Sequence, residues 1–511
     1  MSPGYPGTVA EIAPQRPAVI VAETGEILTY GRLDDRSLRF ARHLYDDGVR
    51  SGDHLAVLCD NQPRAMEIYW AALRSGLYVT FINSHLSAAE VAYIVEDCGA
   101  QTFVVAERFA TVADAVVSAV PGVGRRIALG AVPGFDDYEA VIASASSQPL
   151  PAQPCGADML YSSGTTGFPK GIEVPLPDRD VDEPGDRITG LFAGPMGLDA
   201  DSVYLSPAPI YHSAPLRFMA MAHRVGATVV MMRRFDAAAA LGFIEQYRVT
   251  HSQWVPTMFV RMLKLDPRVR DSYDLSSHRC AVHGAAPCPV EVKRAMIDWW
   301  GPILLEYYSS TEAAGTSIID SGEWLAHPGS VGRPVLGVAH ICDDDGAEVA
   351  TGEVGTIYFE RDTAPFEYHG DPQRTAETRH RDHPNWSTTG DVGYLDADGY
   401  LYLTDRKSFM IISGGVNIYP QEIENALTLH PAVHDVAVIG VPDEEMGESV
   451  LAVVHPVADL DETEGLAALL EQFLRERIAH YKVPRRYEFS TDLPRTPTGK
   501  LIKGKLQERY A

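Results

Sequence analysis

Two hydrophobic periods alternate along the chain, and the switches between them mark its elements. Residues 19–21 form an apolar run, Gly25-Glu26 reads as a turn, and 28–30 resume an extended pattern. Helical spacing follows to about residue 47, then an apolar strand at 55–58, a helix through 66–73 and a strand at 78–82. Ser87 and Glu90 have the spacing of a capping box, which predicts a helix that Gly99 stops before a strand at 103–105. The same order recurs as strand 228–232, helix 236–247 and strand 250–255. Strands alternating with helices imply βαβ units and a parallel-rich α/β body.

The pattern changes beyond a glycine-rich stretch at 388–420. A helix near 420–427, strands at 436–441 and 450–455, and an amphipathic helix follow. That helix places Leu466, Leu469, Leu470, Phe473, Leu474 and Ile478 on one face. This is an α+β pattern of about a hundred residues, so the expected division is a large domain over 1–406 and a small domain over 407–511, with the boundary near 405–409. Residues 175–184, rich in Pro and Asp without periodicity, read as an exposed loop.

Composition narrows the functional classes. The 511 residues carry 43 Lys and Arg against 69 Asp and Glu, a net charge of −26. That balance argues against nonspecific binding to nucleic acid or an anionic membrane, which needs clustered cations. Six scattered cysteines without a C-x-x-C pair read as reduced thiols. Without a signal-peptide pattern or an apolar run of spanning length, a soluble cytoplasmic enzyme is the expectation.

The chemistry concentrates in a few short strings. Tyr161-Ser162-Ser163-Gly164-Thr165-Thr166-Gly167-Phe168-Pro169-Lys170-Gly171 combines hydroxyls, glycines and one lysine, as a polyphosphate cradle requires. It is not a Walker A loop, because Lys170 is followed by Gly171 rather than Ser or Thr. Farther on stand Tyr308-Ser309-Ser310-Thr311-Glu312, Thr388-Thr389-Gly390-Asp391, Asp405-Arg406-Lys407, Gly414-Gly415-Val416-Asn417-Ile418-Tyr419-Pro420 and Pro494-Arg495-Thr496-Pro497-Thr498-Gly499-Lys500. In order and spacing these strings resemble the motifs of the adenylate-forming superfamily: acyl-CoA synthetases, luciferases and peptide-synthetase adenylation domains. The bacterial fatty-acid–CoA ligase type is the nearest resemblance, and it spans about 17–509.

The resemblance implies two half-reactions: a carboxylate attacks the α-phosphorus of MgATP, and coenzyme A then displaces AMP to give a thioester. It implies ATP and AMP binding by Ser162, Ser163, Gly164, Thr165, Thr166, Lys170, Gly284, Ala285, Tyr308, Thr311, Asp391, Arg406 and Lys500. Tyr308 would stack on adenine and Asp391 would accept the ribose hydroxyls, reinforced by Arg406. Glu312, with Thr165 as a second contact, would hold Mg²⁺. Lys500 would bridge carboxylate and α-phosphate, with Thr311, Glu312 and His212 as further catalytic groups. Gly414 and Gly415 would line the path of coenzyme A, and Ser408 would be the hinge. His212, Trp254 and Ala285 would shape the acyl pocket.

Other readings stand beside these. The acyl acceptor could be a carrier protein or an amine, and a non-catalytic nucleotide-binding protein could keep the same fold. Arg475, Arg477, Lys482, Arg485 and Arg486 could meet the phosphates of coenzyme A or form a solvated face. His369, His380 and His383 read as loop histidines, with no cysteine or carboxylate set to complete a metal site. Three residues depart from the family pattern: Ser309 and Ala285 replace usual glycines, and Ser408 occupies a hinge position often held by Asp or Lys.

Overall fold

The computed structural model describes residues 4–162, 169–406, 409–414, 416–443, 446–457, 459, 463–495 and 501–510. Its first sheet is the βαβ pattern made physical. Among the described residues it has six strands, in the order Asp136–Asp137, Arg125–Leu129, Thr102–Ala106, His54–Leu58, Tyr78–Phe81 and Ala157–Asp158, all parallel. Helices cover such sheets on both faces, so their central strands read as unbroken apolar runs; Phe103, Val104 and Val105 are fully buried. The Ser87 and Glu90 capping box forms, with both reciprocal hydrogen bonds, at the start of the helix Ala88–Asp97.

The second sheet has fourteen strands among the described residues and two characters. From Pro17–Val21 through Thr228–Met231, Val203–Ser206, His251–Trp254 and Cys280–His283 to Leu304–Ser309 the neighbours run parallel. Beyond Leu304–Ser309 they turn antiparallel, through Thr316–Asp320 and Ser330–Leu336 to Leu401–Arg406 and Asp391–Leu395. The carboxyl ends of His251–Trp254, Cys280–His283 and Leu304–Ser309 therefore open together, beside the change of direction. In α/β sheets such crevices are where ligands bind.

A third, small sheet joins the hairpin Leu160–Ser162 and Lys170–Glu173 to the strand Glu367–Tyr368. The hairpin's connection, 163–168, lies outside the described residues.

The C-terminal domain has two hydrophobic cores of its own. Period-two alternation in the strand Val433–Asp443 divides its side chains between two cores. Val436 and Val438 pack with Leu470 and Leu474 of the helix Leu466–Arg475, and Ala437, Ile439 and Val441 pack with Leu506 of the helix Lys503–Tyr510. One expectation fails here: Leu469 is 58% exposed. The buried stripe is Leu466, Leu470 and Leu474, spaced by four, and Leu469 lies one step off it. The helix also ends at Arg475, before Ile478. The domain meets the body through Lys264, whose Nζ donates to the Val433 carbonyl at 2.8 Å. No helix among the described residues is long and apolar enough to cross a membrane.

The body's core holds a histidine in its neutral form. His223 Nδ1 accepts from Trp70 Nε1 at 3.1 Å, which leaves the proton on Nε2 facing the Ala18 carbonyl at 3.1 Å. Burial pushes its pKa down to about 4. The unfolded chain binds a proton there near pH 6.5 and the native state does not, so stability falls as pH drops from 6.5 toward 4. We expect denaturant unfolding to show a loss of roughly 2 kcal/mol from this group by pH 5. His223→Gln should flatten that part of the profile, and an unchanged slope would contradict the assignment.

Candidate active site

The strand ends that open together supply one wall of a cavity of about 350 Å³. Trp254, Val255 and Thr257 come from the first strand's end, Ala285 and Ala286 from the second, and Tyr307, Ser309, Thr311 and Glu312 from the third. Lys170 enters from the hairpin and His212 from the N-cap of the helix Ser213–Val225. Much of the remaining wall is apolar, including Phe81, Ile82, Leu86, Ile188, Leu191 and Phe218.

Glu312 is nearly buried, and its Oε1 accepts from the Tyr368 hydroxyl at 3.0 Å. The same tyrosine ring lies under Lys170, whose Nζ is 4.9 Å from its centroid. Burial lowers the Lys170 pKa, as does nearby Arg374, while Glu312 pulls it back up. Tyr368 thus links cation and carboxylate, yet it belongs to no motif singled out above. Only the pairing of Glu367–Tyr368 with Lys170–Glu173 brings it here.

A second cavity, of about 270 Å³, lies between the domains. From the body come Thr257, Ala285, Tyr308 and Asp391; from the small domain come Glu424, His434, Arg495 and Lys503. Tyr308 donates its hydroxyl to Asp391 Oδ2 at 2.8 Å, and Thr389 Oγ1 donates to the same oxygen at 2.9 Å. The buried carboxylate is held by two hydroxyls, and hydroxyl-bearing ligands could replace such donors. Backbone pairing sets Arg406 opposite Asp391 in adjacent strands.

Ala285 lines both cavities and has φ +70°, a left-handed conformation that an L residue adopts at a cost. Gly284 before it has no room for a side chain, since a Cβ would lie 2.7 Å from the Tyr307 carbonyl oxygen. The Ala285 strain yields a prediction. Ala285→Gly should leave stability within about 1 kcal/mol, whereas the β-branched Ala285→Val should cost roughly 1–3 kcal/mol. Equal denaturation midpoints for the two variants would refute a left-handed backbone at this position.

Other expected site residues fall as follows. Trp254 borders the first cavity but is only 1% exposed, its indole packed among Phe235, Phe259 and Trp300. The Ser309 hydroxyl bonds to the Gly315 carbonyl at 2.9 Å and meets Thr316 Oγ1 at 3.1 Å, within its own hairpin. Gly414 turns the hairpin between Ile411–Ser413 and Val416–Ile418 and lines neither cavity, while Ile412 and Val416 beside it are exposed. The basic stretch is neutralised: Arg475 pairs with Glu471, Arg477 with Glu476, Lys482 with Glu422, Arg485 with Asp443 and Arg486 with Glu488. Among the described residues the one metal-competent His and carboxylate group is His327, Asp396 and Asp398, away from His369, His380 and His383. Ser163, Gly164, Thr165, Thr166, Ser408, Gly415 and Lys500 lie outside the described residues, as do the side chains of Ser162 and Arg406.

Residues 8–364 match the AMP-binding enzyme family, and residues 422–500 match the AMP-binding enzyme C-terminal domain. The chain belongs to the adenylate-forming enzymes. Its relatives include a feruloyl-CoA synthase of an Amycolatopsis species, 34% identical over 99% of this chain and 98% of that protein. A fatty acid–[acyl-carrier-protein] ligase of Streptomyces coeruleorubidus is 32% identical over 98% and 95%. Among solved structures, the o-succinylbenzoate CoA synthetase of Bacillus subtilis, in complex with its acyl-adenylate intermediate, superposes with a TM-score of 0.82. It is 26% identical and covers 99% of this chain and 98% of its own. ATP use follows from membership of the family, and the two-domain α/β architecture is the one these enzymes share.

Proposed function

We propose that this adenylate-forming enzyme is an AMP-forming acid–thiol ligase acting on a carboxylic acid with a hydrophobic body. The observation that carries this reading is the meeting of Lys170, Tyr368, Glu312 and Thr311 on one wall of a cavity otherwise lined largely by apolar side chains. Phosphate-binding chemistry and an apolar acid's surroundings share one space.

In the first half-reaction the substrate carboxylate attacks the α-phosphorus of ATP, forming the acyl–phosphate bond as pyrophosphate leaves. No general base is required, because a carboxylate is already ionised at neutral pH. The demand is for positive charge where two anions meet. Lys170 serves the triphosphate, together with the glycine- and hydroxyl-rich segment Ser162 to Thr166, and Lys500 bridges the reacting oxygens. Tyr308 faces adenine beside Gly284 and Ala285, Asp391 takes the ribose hydroxyls, and Arg406 supports it. His212 orients the acid at the cavity, with Trp254 as a rigid backing wall.

The donor set at Glu312 fits Mg²⁺: a nearly buried carboxylate with hydroxyls lining the same cavity is hard oxygen chemistry. Glu312 and Thr165 would hold the ion, which when bound supplies charge neutralisation to the phosphates.

In the second half-reaction the thiol of coenzyme A attacks the acyl carbon and AMP leaves. We place the domain boundary at 406/407, with Ser408 as the hinge about which residues 407–511 rotate. Rotation would bring Gly414, which lines neither cavity, and Gly415 to the thiol's path.

The resemblance to a fatty acid–[acyl-carrier-protein] ligase favours a second reading, in which a carrier protein is the acceptor. Acid-dependent ATP–pyrophosphate exchange across a panel of carboxylic acids, with and without coenzyme A, separates the possibilities. Exchange together with acyl-CoA formation supports the main reading. Exchange without thioester points to a carrier protein or an amine. No exchange with any acid of the panel overturns the adenylating reading in favour of a non-catalytic nucleotide-binding protein.

A further inference from the structure

The helix Arg187–Met196 presents Arg187, Ile188, Leu191 and Phe192 to the larger cavity. Its apolar members fit an acid's hydrophobic body. Arg187 does not. Among the described residues it has no carboxylate within ion-pairing distance, although two lie nearby, because both are committed elsewhere. Asp158 is held by Arg217, through Nε at 2.9 Å and Nη2 at 2.7 Å. Asp186 caps the helix by accepting from the Thr189 amide at 2.8 Å and its hydroxyl at 2.6 Å, and it faces Arg224 at 3.5 Å.

Arg361, whose Nη1 donates to the Ala313 carbonyl at 3.3 Å beside Glu312, adds a second positive charge, while the charge of Arg217 is balanced by Asp158. Burial, Arg217 and Arg361 lower the Arg187 pKa, against the opposing pull of Asp158 and Asp186. The side chain is nevertheless exposed to the cavity, so a ligand can reach it. A guanidinium held near a second cation, with no ion-paired carboxylate among the described residues and with open access, is arranged to receive an anion.

We propose that Arg187 forms an oxyanion subsite in the acid-activating cavity, distinct from the hairpin lysine. The ligand chemistry is a planar or tetrahedral oxyanion. It comes either from a second acidic group at the far end of the substrate acid or from the pyrophosphate portion of the nucleotide. This inference rests on the proposed acid-activating function, and its test is chosen so that the two can fail separately.

Titration calorimetry on the full chain needs no turnover. The probes are inorganic pyrophosphate and the matched pair adipate and hexanoate, applied to the wild type, Arg187→Gln and Arg187→Lys. Because Arg187 makes no ion pair among the described residues, both variants should fold. Arg187→Gln should weaken binding of the oxyanion that uses the subsite by about tenfold or more, and Arg187→Lys, which keeps the charge, should recover most of it. Loss confined to adipate assigns the subsite to a second acid group on the substrate, and loss confined to pyrophosphate assigns it to the nucleotide. Wild-type affinity of Arg187→Gln for every probe would overturn the proposal, as would equal weakening in both variants or no binding of any probe by the wild type. Absence of ATP–pyrophosphate exchange with every acid would sink the adenylating function while leaving the calorimetric result intact.

Discussion

Lys500→Ala is expected to lower acid-dependent ATP–pyrophosphate exchange by about 10²–10³-fold, while preformed acyl-adenylate still reacts with coenzyme A at close to the wild-type rate. The asymmetry follows from the charges. Adenylation brings an anionic nucleophile to an anionic phosphate, and removing the cation between them exposes their repulsion. Thiol attack on the acyl carbon passes no such barrier. Lys500 itself lies outside the described residues, but the residues flanking its segment are informative. Arg495 and Leu501 pair across it as a β-bridge, and both line the interdomain cavity with Tyr308 and Asp391. Lys503, three residues on, is already committed, its Nζ paired with Glu424 at 2.9 Å where both line the interdomain cavity. Equal loss of both half-reactions in Lys500→Ala would contradict a lysine that serves adenylation alone.

Glu312→Gln is the second large effect expected. The amide keeps the shape of the side chain and can still accept the Tyr368 hydrogen bond, so the cavity wall should survive. What disappears is the negative charge that suits a hard divalent ion. Exchange activity should fall by about 10²-fold or more, and the Mg²⁺ concentration giving half-maximal rate should rise. Full activity at the wild-type metal requirement would remove Glu312 from the metal site. Comparing the two variants separates their roles: extra Mg²⁺ should partly restore Glu312→Gln and do nothing for Lys500→Ala.

How much of this was readable beforehand depended on whether the information was local. The strands at 55–58 and 103–105 were plain because parallel strands buried on both faces leave continuous apolar runs. The capping box was plain because it is complete within four residues. Glu312, Tyr308 and Asp391 were marked through short strings that resemble the adenylate-forming motifs; alone, Tyr308 reads equally as a core aromatic and Asp391 as a turn residue. Tyr368 did not, because its place depends on one strand pairing with a hairpin far earlier in the chain. Arg187 was equally silent. Its significance lies in Asp158 and Asp186 being occupied by Arg217 and Arg224, and no linear pattern records that. The basic stretch near 480 stayed open between a phosphate-binding patch and a solvated face because Glu422 and Asp443, two of the acids that neutralise it, come from other elements. Leu469 shares the helical face by spacing, but only the stripe Leu466, Leu470 and Leu474 packs, and that choice is made by the neighbouring strands rather than by the helix itself.

The position of Tyr368 puts three separate parts of the chain in mechanical series. Its strand is hydrogen-bonded edgewise to Lys170–Glu173, its ring sits beneath the Lys170 ammonium, and its hydroxyl is tethered to Glu312. The hairpin cannot shift as a rigid piece without carrying that strand along, and the strand cannot move without pulling on the carboxylate. Hairpin and carboxylate are thus joined through one phenol, so a shift of Lys170–Glu173 and a reorientation of Glu312 share a single hydrogen bond.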